Sequence, residues 1–497
     1  MSQATRPEDE RFPTGVPGLD TVLGGGLLRG GVYIVQGTPG AGKTVLANHV
    51  SFQHAGGGGK VVYVTLLAES HGRLLSHLQG FDFFRPELVP GSIYYVSAFR
   101  LLEEEGLKGL LDLLRREVRS HGASLLVLDG LVAVGELAPS ARELKKFIHE
   151  LQAHAALATC TALLLTNGRE GYHPEHTVVD GVLELLDRPV GARDVRELHV
   201  RKFRGSDHLR GRHAFRLSRA GVSLFPRLEG LLPLPSRLDV ECPPELLGSG
   251  CATLDAMLGG GLPCGSTTIV LGPPGAGKST LGMQFLAAAD AAEPGLLFGF
   301  YERPPLLLDK SDALGFGLRR RVDEGTLDVL WQPPTENLAD ELAHRLLVAV
   351  RRRGVRRLVV DGVAGLQEAA PSGRASPFFT ALTNELRALA VTTLYTAETP
   401  RLFEVVEAPI PGMSAVFENL LILRQVEHAW RPRRTLTIVK VRDSAFDPGA
   451  HEYTIQAGRG LVVEPEPFDP TRPPPAAPKA PRRRRPERAP KRGKRRS

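Results

Sequence analysis

Two eight-residue stretches carry the same chemistry at two places in the chain. Gly37 to Thr44 reads GTPGAGKT and Gly272 to Ser279 reads GPPGAGKS, and both fit GxxxxGK[ST] between an apolar run and a helix-like segment. In the first, Gly37, Thr38, Pro39, Gly40, Ala41 and Gly42 form the turn; in the second, Gly272, Pro273, Pro274, Gly275, Ala276 and Gly277 do so. Glycines at this spacing let successive backbone N–H groups point inward at phosphate oxygens, and the helix N-terminus adds its positive end. Lys43 and Lys278 then reach the β and γ phosphates of a nucleotide, and Thr44 and Ser279 offer hydroxyls to Mg²⁺. An accidental glycine-rich turn would not occur twice in register.

A metal held this way needs an acidic group at the end of a neighbouring buried strand. SLLVLDG places Asp129 there and RRLVVDG places Asp361 there. Hydrolysis further requires a group that orients or deprotonates the attacking water. The strand after each loop helix ends in VVYVTLLAES and LLFGFYERPP, which offer Glu69 and Glu302 as bases. Thr166, Asn167 and Thr396, at later strand tips, are further candidates to sense a γ phosphate.

These residues need a scaffold, and an internal repeat supplies it. The 32 residues from Gly15 and the 32 from Gly250 align without a gap at an offset of 235, with 18 identities. After each loop, apolar strands alternate with amphipathic helices. The strands expected in the first copy are 61–66, 93–96, 125–128 and 162–166, and in the second 295–301, 327–331, 358–360 and 392–396. That alternation predicts a mainly parallel sheet covered by helices on both faces. The expected fold is α/β: two tandem P-loop NTPase domains, over 1–230 and 248–463, joined by a Pro-rich linker at 231–247.

Composition agrees with two globular units. The chain has 497 residues, 42% hydrophobic and 24% charged, enough to bury a core in each half. Its N-terminus is charged and has no apolar run, so neither a secretory signal nor membrane insertion is expected. The four cysteines, Cys160, Cys242, Cys251 and Cys264, form no CxxC pair or disulfide-like spacing. A reducing cytoplasm is the expected location. The net charge of +7 is unevenly spread: residues 471–497 hold twelve Lys or Arg and one Glu, a net of +11, which leaves −4 for the rest. The region 464–497 therefore reads as a disordered Pro/Arg/Lys-rich tail, and nucleic acid, an anionic surface or an acidic partner would meet the basic charge only there.

From about Gly15 to Pro465 the sequence resembles the KaiC branch of the RecA superfamily. The opening GVPGLDTVLGGGL, the loops, the strands ending in Asp129 and Asp361, and the late segments VVDGVLELL…LHVRKFRGSDHLRGRHAFRLSRAGVSLFP and ENLLILRQVEHAWRPRRTLTIVKVRDSAFDPGAHEYTIQAGRGLVV carry the likeness. The resemblance implies that both domains are RecA-like, with ATP and Mg²⁺ as ligands and a homohexameric double ring with ATP between subunits. It also implies ATP hydrolysis and, in some members, phosphorylation of the protein's own Ser and Thr. Lys202 and Arg204, and Lys440 and Arg442, match the basic pair that reaches a neighbour's phosphates, as an arginine finger does.

Two departures bear on activity. The family carries two adjacent Glu after the second strand, whereas this chain has Ala68-Glu69 and Glu302-Arg303. Glu302 matches the first of that pair, while Glu69 matches the second only with one residue inserted before it. At the phosphoacceptor segment, PGMSAVFENLL offers Ser414 followed by Ala415, where the family's clock protein has neighbouring Ser and Thr. Three readings follow: an ATPase and Ser/Thr autokinase that switches an unknown signalling partner, a DNA-acting RecA- or RadA-like ATPase, and a non-catalytic ATP-dependent scaffold. The C-terminal half is the better candidate for chemistry.

Overall fold

The computed structural model describes residues 11–66, 71–168, 174–190, 193–236, 245–370, 373–399, 416–428, 431–442, 444–469 and 471. Glu69, Ser414 and the basic tail beyond residue 471 lie outside them.

Each half is built on one nine-stranded sheet. In the first half the strands are β1 (Val32–Gly37), β2 (Val61–Thr65), β3 (Ile93–Ser97), β4 (Leu125–Asp129), β5 (Thr161–Asn167), β6 (Gly181–Val190), β7 (Arg193–Phe203), β8 (Arg212–Ser218) and β9 (Gly221–Phe225). In the second they are β10 (Thr267–Gly272), β11 (Gly295–Gly299), β12 (Leu327–Trp331), β13 (Arg357–Asp361), β14 (Thr392–Glu398), β15 (Asn419–His428), β16 (Arg431–Lys440), β17 (Ala450–Gln456) and β18 (Gly460–Pro467). The spatial orders, 9-8-7-6-1-5-4-2-3 and 18-17-16-15-10-14-13-11-12, are the same topology twice. Six strands of each sheet run parallel, and the last three return as an antiparallel meander. The eight strands expected within the parallel part are all present; the meander strands, half exposed and rich in charge, carry a weaker apolar signal.

The continuous apolar runs have a simple cause. Side chains alternate between the two faces of a strand, and both faces here are covered. Along β1, Tyr33 and Val35 enter one core while Val32 and Ile34 enter the other. Likewise Ile269 and Leu271 of β10 face one core and Val270 its opposite. The helices Lys43–Gly56 and Lys278–Leu286 run back from the phosphate-loop ends of β1 and β10 and bury most of their side chains. In the opening motif the Asp of each Leu-Asp pair ties down the chain before it: Asp20 accepts from Thr14 N–H at 2.9 Å, and Asp255 from Ser249 N–H at 2.7 Å.

The halves touch through more than a strand-to-strand linker. A helical turn, Leu228–Leu231, follows β9, and its Leu228 is buried in the core of the second half. Arg374 holds both Glu229 within that turn and Asp340 at the start of the helix Ala339–Arg353.

Candidate functional site

At the C-terminal end of β1 and of β10 the chain turns through the glycine-rich loop into a helix. Gly42 and Gly277 cap these helices at φ near +100°, a region open to glycine at little cost. Gly37 and Gly272 leave no room for a side chain, since a Cβ would sit 2.5 Å from the Leu185 carbonyl oxygen and 2.6 Å from that of Leu423.

The two loops hold their lysines identically. Lys43 Nζ donates to the carbonyls of Gly37 at 2.9 Å and Thr38 at 3.0 Å; Lys278 Nζ donates to those of Gly272 and Pro273, each at 2.9 Å. Burial lowers the pKa of both ammonium groups, with nearby carboxylates opposing. The loop hydroxyls meet the strand-end acids: Thr44 Oγ1 donates to Asp129 at 3.0 Å, and Ser279 Oγ to Asp361 at 3.1 Å. A hydroxyl and a carboxylate brought together beside a phosphate loop form a hard oxygen set, which fits Mg²⁺. Among the described residues there is no cluster of three or more His, Cys, Asp or Glu that would suit a metal held by protein alone.

The surroundings of the two acids differ. Asp129 is 6% exposed and also accepts from the buried Tyr63 hydroxyl at 3.0 Å. Asn48 donates to Tyr63 at 3.2 Å and accepts from Tyr95 at 2.7 Å, so a buried relay Tyr95–Asn48–Tyr63 ends on the acid. Burial, reinforced by the Asp129 charge, pushes the Tyr63 phenol well above its ordinary pKa and keeps it a donor. In the second half the sheet register puts Leu297 and Val329 at the places of Tyr63 and Tyr95, and Met283 stands 235 residues after Asn48. There Thr396 takes over, donating to Asp361 at 2.6 Å. By register its counterpart is Leu165, so Thr166 and Thr396 are not equivalent.

A cavity of about 760 Å³ opens beside the second loop, lined by Lys278, Ser279, Tyr301, Glu302, Lys310, Asp361, Thr396 and Glu398 among others. Glu302 is therefore next to the loop, where its Oε2 is 3.5 Å from Lys310 Nζ. Register sets Thr65 opposite Asp129 and Gly299 opposite Asp361; counting three residues on in sequence gives Glu302 in the second half and Ala68, outside the described residues, in the first. The relay residues and Glu398 carried no motif; only a tyrosine in an apolar strand, or a comparison of the tips YTAE and LLTN, would have signalled them.

Lys202 and Arg204 are not brought to the loop of their own half. Lys202 pairs with Val182, which neighbours Ile34 near the start of β1, and its Nζ donates to the carbonyls of His176 at 2.7 Å and Thr177 at 3.2 Å. Arg204 donates to the Thr177 carbonyl at 2.9 Å. Lys440 occupies the matching place and donates to the Phe417 carbonyl at 3.2 Å, with the exposed Arg442 just beyond it. Each pair lies toward the sheet end opposite its own loop.

Comparison with known proteins agrees with this doubled site. A family model described as the KaiC ATPase matches residues 12–229 and again 247–467. The chain belongs to the KaiC ATPase family. Among its KaiC relatives are the circadian clock oscillator protein KaiC of Picosynechococcus sp., 25% identical over 92% of this chain and 90% of the relative, and circadian clock oscillator protein KaiC 1 of Synechocystis sp., 25% identical over 90% and 88%. Circadian clock protein KaiC3 of Synechocystis sp. is also 25% identical, over 90% of both chains. The KaiC likeness thus spans both halves, and the relay behind Asp129 is confined to one of the two.

Proposed function

We propose that this chain is an ATP-hydrolysing KaiC-family protein that binds one ATP with Mg²⁺ at each loop, as a homohexamer with nucleotide between subunits. Residues 1–230 and 248–463 act as its two nucleotide units, joined by 231–247. The observation that carries this reading is the duplicated constellation of loop lysine, loop hydroxyl and strand-end aspartate. Lys43 and Lys278 exchange their carbonyl partners for phosphate oxygens, and the backbone N–H groups of the two loops cradle the rest. Thr44 with Asp129, and Ser279 with Asp361, hold the metal, which when bound neutralises developing phosphate charge.

Glu302 orients the attacking water in the C-terminal site. Glu69 does so less effectively in the N-terminal one, because in sequence it matches the second of the family's Glu pair only with one residue inserted before it. The Lys202/Arg204 and Lys440/Arg442 pairs face away from their own loops, which suits a role on a neighbouring subunit's nucleotide. Ring assembly and nucleotide state together make the switch that a partner protein reads. Ser414 is the residue proposed to accept phosphate from the C-terminal site.

Phosphate release from purified protein tests the reading. Glu302→Gln is expected to slow turnover roughly a hundredfold at the C-terminal site. If neither Glu302→Gln nor Glu69→Gln slows release, the bases are misassigned. If the unaltered protein assembles with ATP but releases no phosphate, it is a scaffold. Label transfer from γ-labelled ATP that is lost in Ser414→Ala reports the kinase step, and gel filtration with and without ATP reports the ring.

A further inference from the structure

The strand tips beside the two loops are at the same register and carry different charge. Asn167 is the partner of Gly37 on β5, and Glu398 is the partner of Gly272 on β14. The following residues fix both tips in the same way, Gly168 N–H donating to Gly37 at 3.0 Å and Thr399 N–H to Gly272 at 3.1 Å. Yet only the second tip is a carboxylate. Its Oε1 lies 3.9 Å from Lys278 Nζ, and it lines the cavity together with Ser279 and Asp361.

Lys278 is the group that meets the β and γ phosphates under the function proposed above, on which this inference rests. A carboxylate within an ion-pair distance of its Nζ stands beside the place where the terminal phosphate must go. Of the other two carboxylates on the cavity wall, Asp361 accepts from Ser279 and Thr396, and Glu302 is drawn to Lys310. Glu398 remains 69% exposed at its side chain, so its pair with Lys278 is loose and easily displaced by a phosphate. Displacement does not remove its charge from the site. A diphosphate leaves that charge undisturbed, whereas a triphosphate adds negative charge next to it.

We infer that Glu398 sets the nucleotide preference of the C-terminal site, penalising the triphosphate relative to the diphosphate, and that Asn167 leaves the N-terminal site without this penalty. The C-terminal site then releases its grip on unhydrolysed nucleotide more readily, and the two sites of one chain respond to different ATP-to-ADP ratios.

The test is a binding titration of the full chain carrying Lys43→Ala, so that the C-terminal site reports. The probes are ADP and the non-hydrolysable β,γ-imido analogue of ATP, each with Mg²⁺. Adding Glu398→Gln is expected to tighten the analogue about tenfold and ADP less than twofold, as expected for removing one like charge near a partly exposed site. The reciprocal variant, Asn167→Glu on a Lys278→Ala chain, is expected to weaken the analogue relative to ADP at the N-terminal site. Equal changes for both nucleotides, or weaker analogue binding by Glu398→Gln, overturn the inference. If the Lys43→Ala chain binds neither nucleotide, the proposed function itself fails, and this inference with it.

Discussion

Arg374 forks onto Glu229 across the boundary between the two halves, its Nε at 2.8 Å from one carboxylate oxygen and an Nη at 2.7 Å from the other. The same guanidinium reaches both oxygens of Asp340, which is 3% exposed, and Asp340 in turn accepts from the Leu228 N–H at 3.0 Å. Arg374 therefore bridges two carboxylates that arise from different halves, and Arg227 joins it on Glu229 at 3.0 Å.

Removing Arg374 strands the Asp340 charge and leaves Glu229 with Arg227 alone, at 3.0 Å. Arg374→Ala is expected to cost about 3 kcal/mol at the junction, because breaking a buried pair leaves an uncompensated charge. Thermal unfolding followed by calorimetry should show the transition lowered or split in two. Adding Asp340→Asn to Arg374→Ala should regain part of the loss; no recovery would mean that packing by the guanidinium, and not its charge, is what matters.

The junction also predicts an acid response. Burial raises the pKa of Glu229, but the hydrogen bonds and charge of Arg374 outweigh it and hold the carboxyl below its ordinary value. A depressed folded pKa stabilises above the unfolded value of 4.5 and is lost as pH falls below it. Contact between the halves, followed by limited proteolysis after residue 232, should persist at pH 6 and weaken below about pH 4.5. Arg374→Ala should flatten that dependence.

The N-terminal half should respond at higher pH. Burial lowers His49 and His54 to about 4 from 6.5, and His49 accepts the Val222 N–H at Nδ1, which requires that nitrogen to be unprotonated. The unfolded chain takes up protons on both residues as pH falls from 6.5 towards 4 while the native state does not. Stability present above pH 6.5 is thus expected to fall across this window, and His49→Gln should remove about one proton from the slope. An unchanged slope would place His49 in a protonated native form.

The relay behind Asp129 makes a separate prediction. Tyr63→Phe deletes a buried hydroxyl that donates to Asp129 and accepts from Asn48. Leaving the Asn48 amide and Asp129 with one partner fewer should cost about 1 to 3 kcal/mol in the N-terminal half. Denaturant unfolding checks the cost. The Mg²⁺ concentration needed for half-maximal nucleotide binding should change at the N-terminal site alone, measured on the Lys278→Ala chain. The corresponding Leu297→Met substitution in the second half should leave it unchanged.

Turnover should divide unequally. Lys278→Ala is expected to abolish most phosphate release and Lys43→Ala the smaller part, since Glu302 lines the C-terminal cavity. The reverse ratio would assign the chemistry to the first half.

The sequence by itself determined the two loops, the aspartates that end β4 and β13, and the parallel strands. These follow from local requirements: glycine where φ is positive, a lysine and hydroxyl at fixed spacing, and unbroken apolar runs where both faces of a strand are buried. It determined the repeat as well, because an offset of 235 survives in 18 of 32 residues. What only the tertiary structure decided is which polar side chains meet these elements from far along the chain. Tyr63 and Asn48 reach Asp129, Lys310 draws Glu302, Glu398 approaches Lys278, and Arg374 gathers Glu229 and Asp340. Such partnerships depend on strand register and helix placement across separations of 8 to 145 residues. A single polar side chain in an apolar strand or at a strand tip does not announce its partner.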